Sequence, residues 1–575
     1  MINKTEKVLN KAGTLLLLVL SLSINAQEAQ YPNGYFRNPL NIPMQLVANF
    51  GEIRTNHWHM GLDIRTQQRE NLPVYAAADG YVAKIKIEPG GFGRAIYINH
   101  PNGYTTLYAH LNDFFPALEQ WVKEQQYLLQ SWQVELAIPP ALFPVNKGDF
   151  IAYSGNTGGS AGPHVHFEIR DIKTENCFNP LLFSFPIPDA VPPLITRLAL
   201  YDRNRSVYAQ SPQLITLRRA GNVYSLAKAG ILKVGTDKIS FAIGAVDMLS
   251  GSPNPKGIYS AQILMDDVMQ SAFVLDNISY DETRYLNAQI DYRYKFNGGA
   301  YLQHLSRMPG DKSTIYRSTA TDGVLYLTDT IIHTVRIEVK DAAQNQSILS
   351  FDVQFDSALR KPVPEAAVQK FYPNNVNVFE TDLFEAFTSE YTLYDTATVS
   401  YTLSDVLPSG AVSPLHQFMS ASIPVHDSVT VRIKPSAVFN NGDRDRVVIK
   451  NVSGNNTTVK KAKWQNGWLG ASFRQFGTYQ AFIDSVPPVF NAPGIGDTID
   501  LRKIPRLVFT PRDNFNTIKS FRAEIDGQWL RFTNDKSRTW IYKFDEHFPP
   551  GVHELKVTVE DEAGNITTKT WWCRR

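Results

Sequence analysis

Six of the 12 histidines fall within the first 166 residues, at His57, His59, His100, His110, His164 and His166. A hydrophobic core has no use for so many imidazoles, so their spacing is informative. In 163-PHVHFEIR-170 a strand would alternate its side chains between faces, so His164 and His166 project together while Val165 and Phe167 point into the core. Two imidazoles side by side on a rigid strand can share one metal ion. The segment 59-HMGLD-63 adds a neutral nitrogen ligand and an anionic oxygen ligand four residues apart, joined across a glycine that permits a tight bend.

Three protein ligands with an open fourth position are the arrangement of a catalytic zinc, whereas structural zinc sites are closed by four. Two histidines and one carboxylate leave such a site at net +1, which lowers the pKa of a bound water toward about 7. No H-E-x-x-H helix is present, so a glutamate base of that kind is not indicated and unligated histidines must handle protons. The two cysteines, Cys177 and Cys573, permit neither a disulfide framework nor a Cys-ligated zinc module. Any metal therefore rests on His, Asp or Glu. Cys177 reads as a half-buried small hydrophobe rather than a thiol nucleophile.

The elements that must position these groups are mainly strands. From about 31 to 186 short apolar runs alternate with Gly-rich turns, as in 74-VYAAADGYVAKIKI-87, 89-PGGFG-93 and 95-AIYINHPNGYTTLYAHL-111. Asn102-Gly103 predicts a two-residue hairpin turn with positive φ at both residues, and His100 beside Pro101 reads as a turn residue. One stretch, 114–143, departs from the pattern. Leu118, Trp121, Val122, Leu128, Leu129 and Trp132 recur at helical intervals with Pro116 near the first turn, predicting a helix inserted into a β domain.

At this point the order of motifs, H-x-x-x-D, 107-LYAHL-111, 147-KGDFIAYSGNTG-158 and 164-HVHFE-168, together with 76-AAADGYV-82, resembles the lysostaphin-type zinc endopeptidases of the M23 (LytM-like) family. The resemblance runs from about 50 to 180. It implies that His59, Asp63 and His166 bind Zn2+ and that His110 and His164 are catalytic histidines outside the ligand set. It implies an antiparallel β-sheet peptidase domain and hydrolysis of the peptide cross-links of bacterial peptidoglycan. In the mechanism expected from it, His164 takes a proton from water and returns it to the leaving amine, and His110 stabilises the oxyanion, with the two roles open to exchange. The helical insert is a departure from the family; its place just after His110 suggests that it borders the cleft and either restricts access or docks a regulator. His57 is out of register with the glycine and aspartate of the motif and is not expected to be a ligand. Asn56 and Arg65 flank the motif and are expected to line the cleft.

Beyond 188 the texture becomes Val/Thr/Tyr-rich runs separated by Asn, Asp, Gly and Pro clusters, the pattern of antiparallel sandwiches. An internal repeat is visible: 333-HTVRIEVKDAAQNQS-347 resembles 553-HELKVTVEDEAGNIT-567, and 189-DAVPPL-194 matches 484-DSVPPV-489. Paired prolines cannot join a ladder and rigidify a linker, so each pair marks a boundary. The expected organisation is a peptidase domain at 31–186, an immunoglobulin-like sandwich at 189–357 with an insertion around 266–330, a sandwich-like block at 366–483 and a second immunoglobulin-like sandwich at 484–575. The Asp/Asn-rich turns 341-DAAQN-345 and 440-NNGDRD-445 lack the spacing of a calcium loop and read as ordinary turns.

Lys4, Lys7 and Lys11 precede an apolar run at 15–22, too short to span a bilayer, with small and polar residues up to Ala26; residues 1–26 are expected to be an export signal. The mature protein is then expected in the periplasm or outside the cell, without a stable membrane span. With 575 residues the chain is long enough for several cored domains, and Lys+Arg 57 against Asp+Glu 55 removes the polybasic balance of a nucleic-acid binder. The expected partners are peptidoglycan peptide stems, with protein partners through the sandwiches. Two further readings stand beside the endopeptidase: a non-catalytic scaffold or activator of other hydrolases, and a protease of protein substrates.

Overall fold

The computed structural model describes residues 31–575 apart from 251, 253, 318–320, 362–368, 437, 438, 440 and 441; the expected export signal at 1–26 lies outside the described residues. The first domain is built on an antiparallel sheet of strands β1 (Leu46–Ala48), β2 (Leu62–Arg65), β3 (Gly80–Ile87), β4 (Arg94–Asn99), β5 (Tyr104–Ala109), β6 (Val134–Ala137) and β7 (His164–Asp171). They pair in the order β1-β2-β7-β5-β4-β3-β6. Period-2 alternation decides what each face carries. Leu62, Ile64, Ile96, Ile98, Tyr108, Val165, Phe167 and Ile169 are fully buried on one face, where they pack with Val74, Leu111 and Ile151 of a second, three-stranded sheet. Asp63, His166, Glu168 and Arg170 share the other face.

The turn between β4 and β5 differs from expectation. Only Gly103 has positive φ, and Gly103 N donates to the His100 carbonyl. This is an ordinary turn with a left-handed glycine at its end, so Asn102 needs no strained backbone. His100 lies at the turn but is buried, with Nδ1 on the Asp79 carbonyl and Nε2 on Thr106 Oγ1.

The inserted helix, α1, spans Pro116–Leu129, with Pro116 in its first turn and Leu118, Val122 and Gln126 buried. It is shorter than its apolar spacing predicted. Gln130 takes a left-handed conformation that stops the helix, Leu128 is 78% exposed, and buried Trp132 belongs to the turn beyond. The far side of α1 docks the last domain of the same chain. Tyr127 stacks on His547 with ring centroids 3.6 Å apart, Lys123 Nζ pairs with Asp545 at 2.9 Å and Glu546 at 2.8 Å, and Arg531 donates to Gln126 Oε1.

Residues 194–355 form two facing sheets, one of five strands and one of seven. Val268–Val274 is an integral strand, paired along its length with Ser260–Met265, so the irregular stretch begins at 275 rather than at 266. It contains the short helices Leu286–Gln289 and Tyr292–Phe296 and returns to the five-stranded sheet through Gln303–His304 and Leu325–Tyr326. This stretch meets the first domain. Phe50, Trp58, Met60 and Cys177 leave the first domain's core and join the core of this sandwich. Trp58 is fully buried, its Nε1 donating to Gln289 Oε1 at 2.7 Å and its backbone N to Thr283 Oγ1 at 3.0 Å. Strand Cys177–Phe178 pairs with β7 on one side and with Asn277–Ile278 on the other, so hydrogen bonding crosses the junction as well.

Two five-stranded sheets around Phe384, Phe418 and Tyr479 make up the third block, and the fourth combines a five-stranded sheet ending in Ile566–Arg574 with the pair Arg506–Phe509 and Trp540–Lys543. Because Phe50, Trp58, Met60 and Cys177 of the first domain are packed into the core of the second, the two domains are expected to unfold together. Trp58→Ala should destabilise that joint unit by about 3–5 kcal/mol, read as a shift of its urea transition, with hydrogen exchange faster on both sides of the junction and unchanged in the fourth domain.

Candidate metal centre

The register of β7 between β2 and β5 sets the site. His166 lies opposite Asp63 on one side and Ala109 on the other, so the third ligand candidate and the acid sit on neighbouring strands of one face. His59 enters from the segment before β2. Its link to Asp63 passes through Gly61, whose φ is not positive; the requirement is one of space, since a Cβ there would stand 2.4 Å from the Phe167 carbonyl and 3.0 Å from His166 Nε2. The three side chains converge. His59 Nε2 is 2.9 Å from Asp63 Oδ1 and 3.0 Å from His166 Nδ1, and His166 Nδ1 is 2.9 Å from Asp63 Oδ1. All three are buried.

Their outer partners fix which nitrogen carries hydrogen. The Asn49 carbonyl, 2.8 Å from His59 Nδ1, can only accept, so Nδ1 holds the hydrogen and Nε2 presents a lone pair to the centre. The Glu168 carboxylate, 2.8 Å from His166 Nε2, does the same for His166 and leaves Nδ1 bare. Two lone pairs and a carboxylate oxygen then face one another at about 3 Å, an arrangement that is repulsive unless a positive charge lies among them. Without a metal, a proton takes that place: burial alone would lower His166, yet its hydrogen bonds to Asp63 and Glu168 hold its pKa up at about 9, so Nδ1 is bare only when a metal replaces that proton. Burial likewise opposes ionisation of Asp63, but the surrounding histidines bring it well below the ordinary carboxylate range. The three side chains could hold a cation, and a donor set of two imidazoles and one carboxylate suits zinc.

Sequence reasoning passed over the group that organises this set. Glu168 is fully buried, and around it stand His166 Nε2, Arg170 Nε at 2.6 Å, the Tyr280 hydroxyl and Cys177 Sγ at 3.4 Å. Burial raises its carboxyl, but Arg170 and His166 bring it down to about 2. Its position two residues after His166 places it on the ligand face, a signal present in the strand alternation. Tyr280 has no such signal, because it comes from the irregular stretch of the second domain. Cys177 is fully rather than half buried, and burial first, then Glu168, keeps its thiol protonated.

The two remaining histidines stand beside these three side chains. His164 Nε2 is 3.3 Å from Asp63 Oδ1, while its Nδ1 donates to the Gly162 carbonyl at 2.9 Å. His110 holds a left-handed backbone, φ 59°, between its own N, which donates to the Phe92 carbonyl, and its Nδ1, which donates to the Thr157 carbonyl at 2.9 Å. Its ring centroid is 4.7 Å from that of His164. Burial first, with His166 and His164 adding, pushes His110 down to about 3, so it is neutral. His110 thus turns a bare Nε2 away from its carbonyl partner, and His164 turns its Nε2 toward Asp63. His57 is exposed and occupied with the Thr55 carbonyl. Asn56 accepts from Asn287 of the second domain, and Arg65 pairs across the strands with His164.

The loops that hold His110 and His164 are themselves held. Gly93, φ 64°, lies against Thr157 and Gly158, where a Cβ would stand 2.4 Å from Thr157 Oγ1. Lys536 of the fourth domain donates to the carbonyls of Gly158 and Ser160, both at 2.9 Å, and Gly90 N donates to the Asp535 carbonyl.

Residues 57–133 match the family described as Peptidase family M23, and residues 368–484 match a Zu5-like domain. A Haemophilus influenzae protein named as an uncharacterized metalloprotease is 32% identical over 171 residues, covering 28% of this chain and 30% of that protein. A Neisseria meningitidis DD-carboxypeptidase/endopeptidase is 33% identical over 137 residues, covering 24% and 25%. The Vibrio cholerae peptidoglycan DD-endopeptidase ShyA is 31% identical over 162 residues, covering 27% and 31%. The matches thus span less than a third of each relative's length. The motif order, the converging donor set and these likenesses together show that the chain carries a peptidase family M23 domain.

Proposed function

We propose that the first domain is a zinc-dependent endopeptidase that hydrolyses peptide cross-links of bacterial peptidoglycan, and that the chain is exported to the periplasm or cell envelope to do so. The convergence of His59 Nε2, Asp63 Oδ1 and His166 Nδ1 carries this reading. The peptidoglycan substrate is taken from what the relatives are named for. Every ligand and histidine position of the motif is occupied, which favours an enzyme over a scaffold.

His59, Asp63 and His166 would hold the zinc. When bound, zinc supplies a Lewis-acid charge that acidifies water and polarises a carbonyl. The side chains do the rest. His164 Nε2, beside Asp63 and with its own hydrogen committed to Gly162, accepts a proton from the attacking water and then returns it to the leaving nitrogen. His110, fixed through Thr157, lies across from His164 against the carbonyl under attack. Since its Nε2 is bare in the neutral ring, His110 accepts a hydrogen bond there and would orient the attacking water for His164. Glu168, clamped by Arg170 and Tyr280, keeps His166 in the tautomer that faces the centre.

Incubation of the purified full chain with intact sacculi, followed by mass spectrometry of the soluble products, tests the proposal. New peptide termini are expected from the wild type and not from His166→Ala or a chelated sample. Termini that persist in the mutant would refute the zinc reading, and none from any sample would favour the scaffold. Tyr280→Phe and Glu168→Gln are expected to weaken zinc binding by about 10–100-fold, measured by competition with a chromophoric chelator. Gly93→Ala should keep its zinc but lose about 10²-fold in kcat, because the Cβ displaces Thr157 and with it His110.

A further inference from the structure

We infer that Asp484, Asp513 and Asp561 form a calcium-binding site at the start of the fourth domain. One carboxylate oxygen from each lies within 4.8 Å of the others. Asp484 is 2% exposed, Asp513 8% and Asp561 0%. Three buried carboxylates at this spacing carry a large desolvation and repulsion cost unless a cation offsets it. Among the described residues no lysine, arginine or histidine makes an ion pair with any of them.

The hydrogen-bond inventory shows where the cation is needed. Asp561 is committed to backbone and side-chain donors of Gly564 and Asn565, and Asp484 Oδ1 accepts from Val486 N and Asn514 Nδ2. Asp513 Oδ2 accepts from Phe515 N at 2.8 Å, but its Oδ1 is buried and has no partner. That orphaned oxygen belongs to a side chain more than nine-tenths buried, whose carboxylate lies within 4.8 Å of two others. Burial, then Asp484 and Asp561, raise the Asp513 carboxyl above its ordinary range. An all-oxygen donor set of three carboxylates suits a hard divalent cation, and calcium tolerates its irregular geometry better than magnesium.

The second domain repeats the constellation with one difference. Asp189, Asp247 and Asp341 occupy the matching positions, before V-P-P, beyond a strand, and at the head of the D-x-A-x-N turn. Asn345 holds Asp341 and the Asp189 carbonyl as Asn565 holds Asp561 and the Asp484 carbonyl. There Lys256, 2% exposed, adds its positive charge near Asp247. Lys256 makes no ion pair with that cluster, its Nζ donating to the Asn254 carbonyl, but its charge lies close enough to lower slightly an Asp247 carboxyl that burial raises. At 484–561 the lysine is missing and Asp513 Oδ1 is left unsatisfied. The turn at 341–345 is thus the ordinary turn its sequence predicted, and the candidate site arises only when residues far apart in the chain meet.

The site lies where the third block passes into the fourth, beside the contact of Phe482 with Phe515, so a bound cation would brace that joint. This inference is independent of the peptidase reading. Calorimetric titration of the chelator-stripped full chain with calcium chloride is expected to show binding with a Kd of about 10⁻⁴–10⁻³ M. His166→Ala should bind calcium unchanged, which separates this site from the zinc centre, and Asp513→Asn should bind at least about tenfold more weakly. Equal affinity in wild type and Asp513→Asn, or no binding at millimolar calcium, would overturn the inference. Should Asp513→Asn fold poorly, thermal melts of the wild type decide: a calcium-dependent rise in Tm supports the site, and an unchanged Tm in calcium overturns it.

Discussion

The buried charge of Glu168 is the constraint around which the first two domains are arranged. A carboxylate with no solvent exposure is tolerable only when its oxygens are fully engaged. Here the partners come from three directions: His166 and Arg170 from its own strand, Cys177 from the adjoining strand, and Tyr280 from the second domain. Arg170 in turn lies over the rings of Tyr97 and Tyr280. Removing the second domain would therefore open a polar network as well as expose the Trp58 surface. The junction is therefore a dry one, with four side chains of the first domain packed into the core of the second.

The same strand carries His166, the candidate ligand, so register connects stability to the geometry of the donor set. His166 opposes Asp63 because β2 and β7 pair with Val165 and Phe167 directed into the core. A slip of one residue would turn the histidines inward and the valine and phenylalanine outward, at the cost of several buried side chains. The geometry of the three donor atoms is thus enforced by apolar residues that never touch them. The repulsion among those donors is a local strain that the cores of both domains can hold.

Much of the centre was legible in the sequence because its parts are local. H-x-x-x-D and H-x-H each place groups within a few residues, and strand alternation says which of them share a face. Glu168 obeys the same alternation and could have been found by it. Tyr280, Lys536 and the partners of α1 could not, since each arrives from another domain through contacts with no local pattern. The end of α1 departs from its apolar spacing for a physical reason: Leu128 and Leu129 continue that spacing but lie exposed past the last buried turn, and a left-handed Gln130 ends the helix. The hairpin at Asn102-Gly103 was misjudged because one left-handed glycine suffices to close it. The inserted stretch of the second domain was placed too early because Val268–Val274 pairs as a regular strand.

The folding back of the fourth domain onto the first has a consequence for the loop that leads into His164. Residues 158–162 contain three glycines, which lose more conformational freedom on ordering than any other residue. Left alone, such a loop would sample many shapes, and the Gly162 carbonyl that fixes the His164 tautomer would move with it. Two of its carbonyls are instead gripped by Lys536, and Gly159 N is tied to the Gly91 carbonyl. The helix inserted after His110 provides the second foothold, through Lys123, Gln126 and Tyr127. A domain more than 300 residues away in the chain thereby acts on the loop before His164 as a direct neighbour.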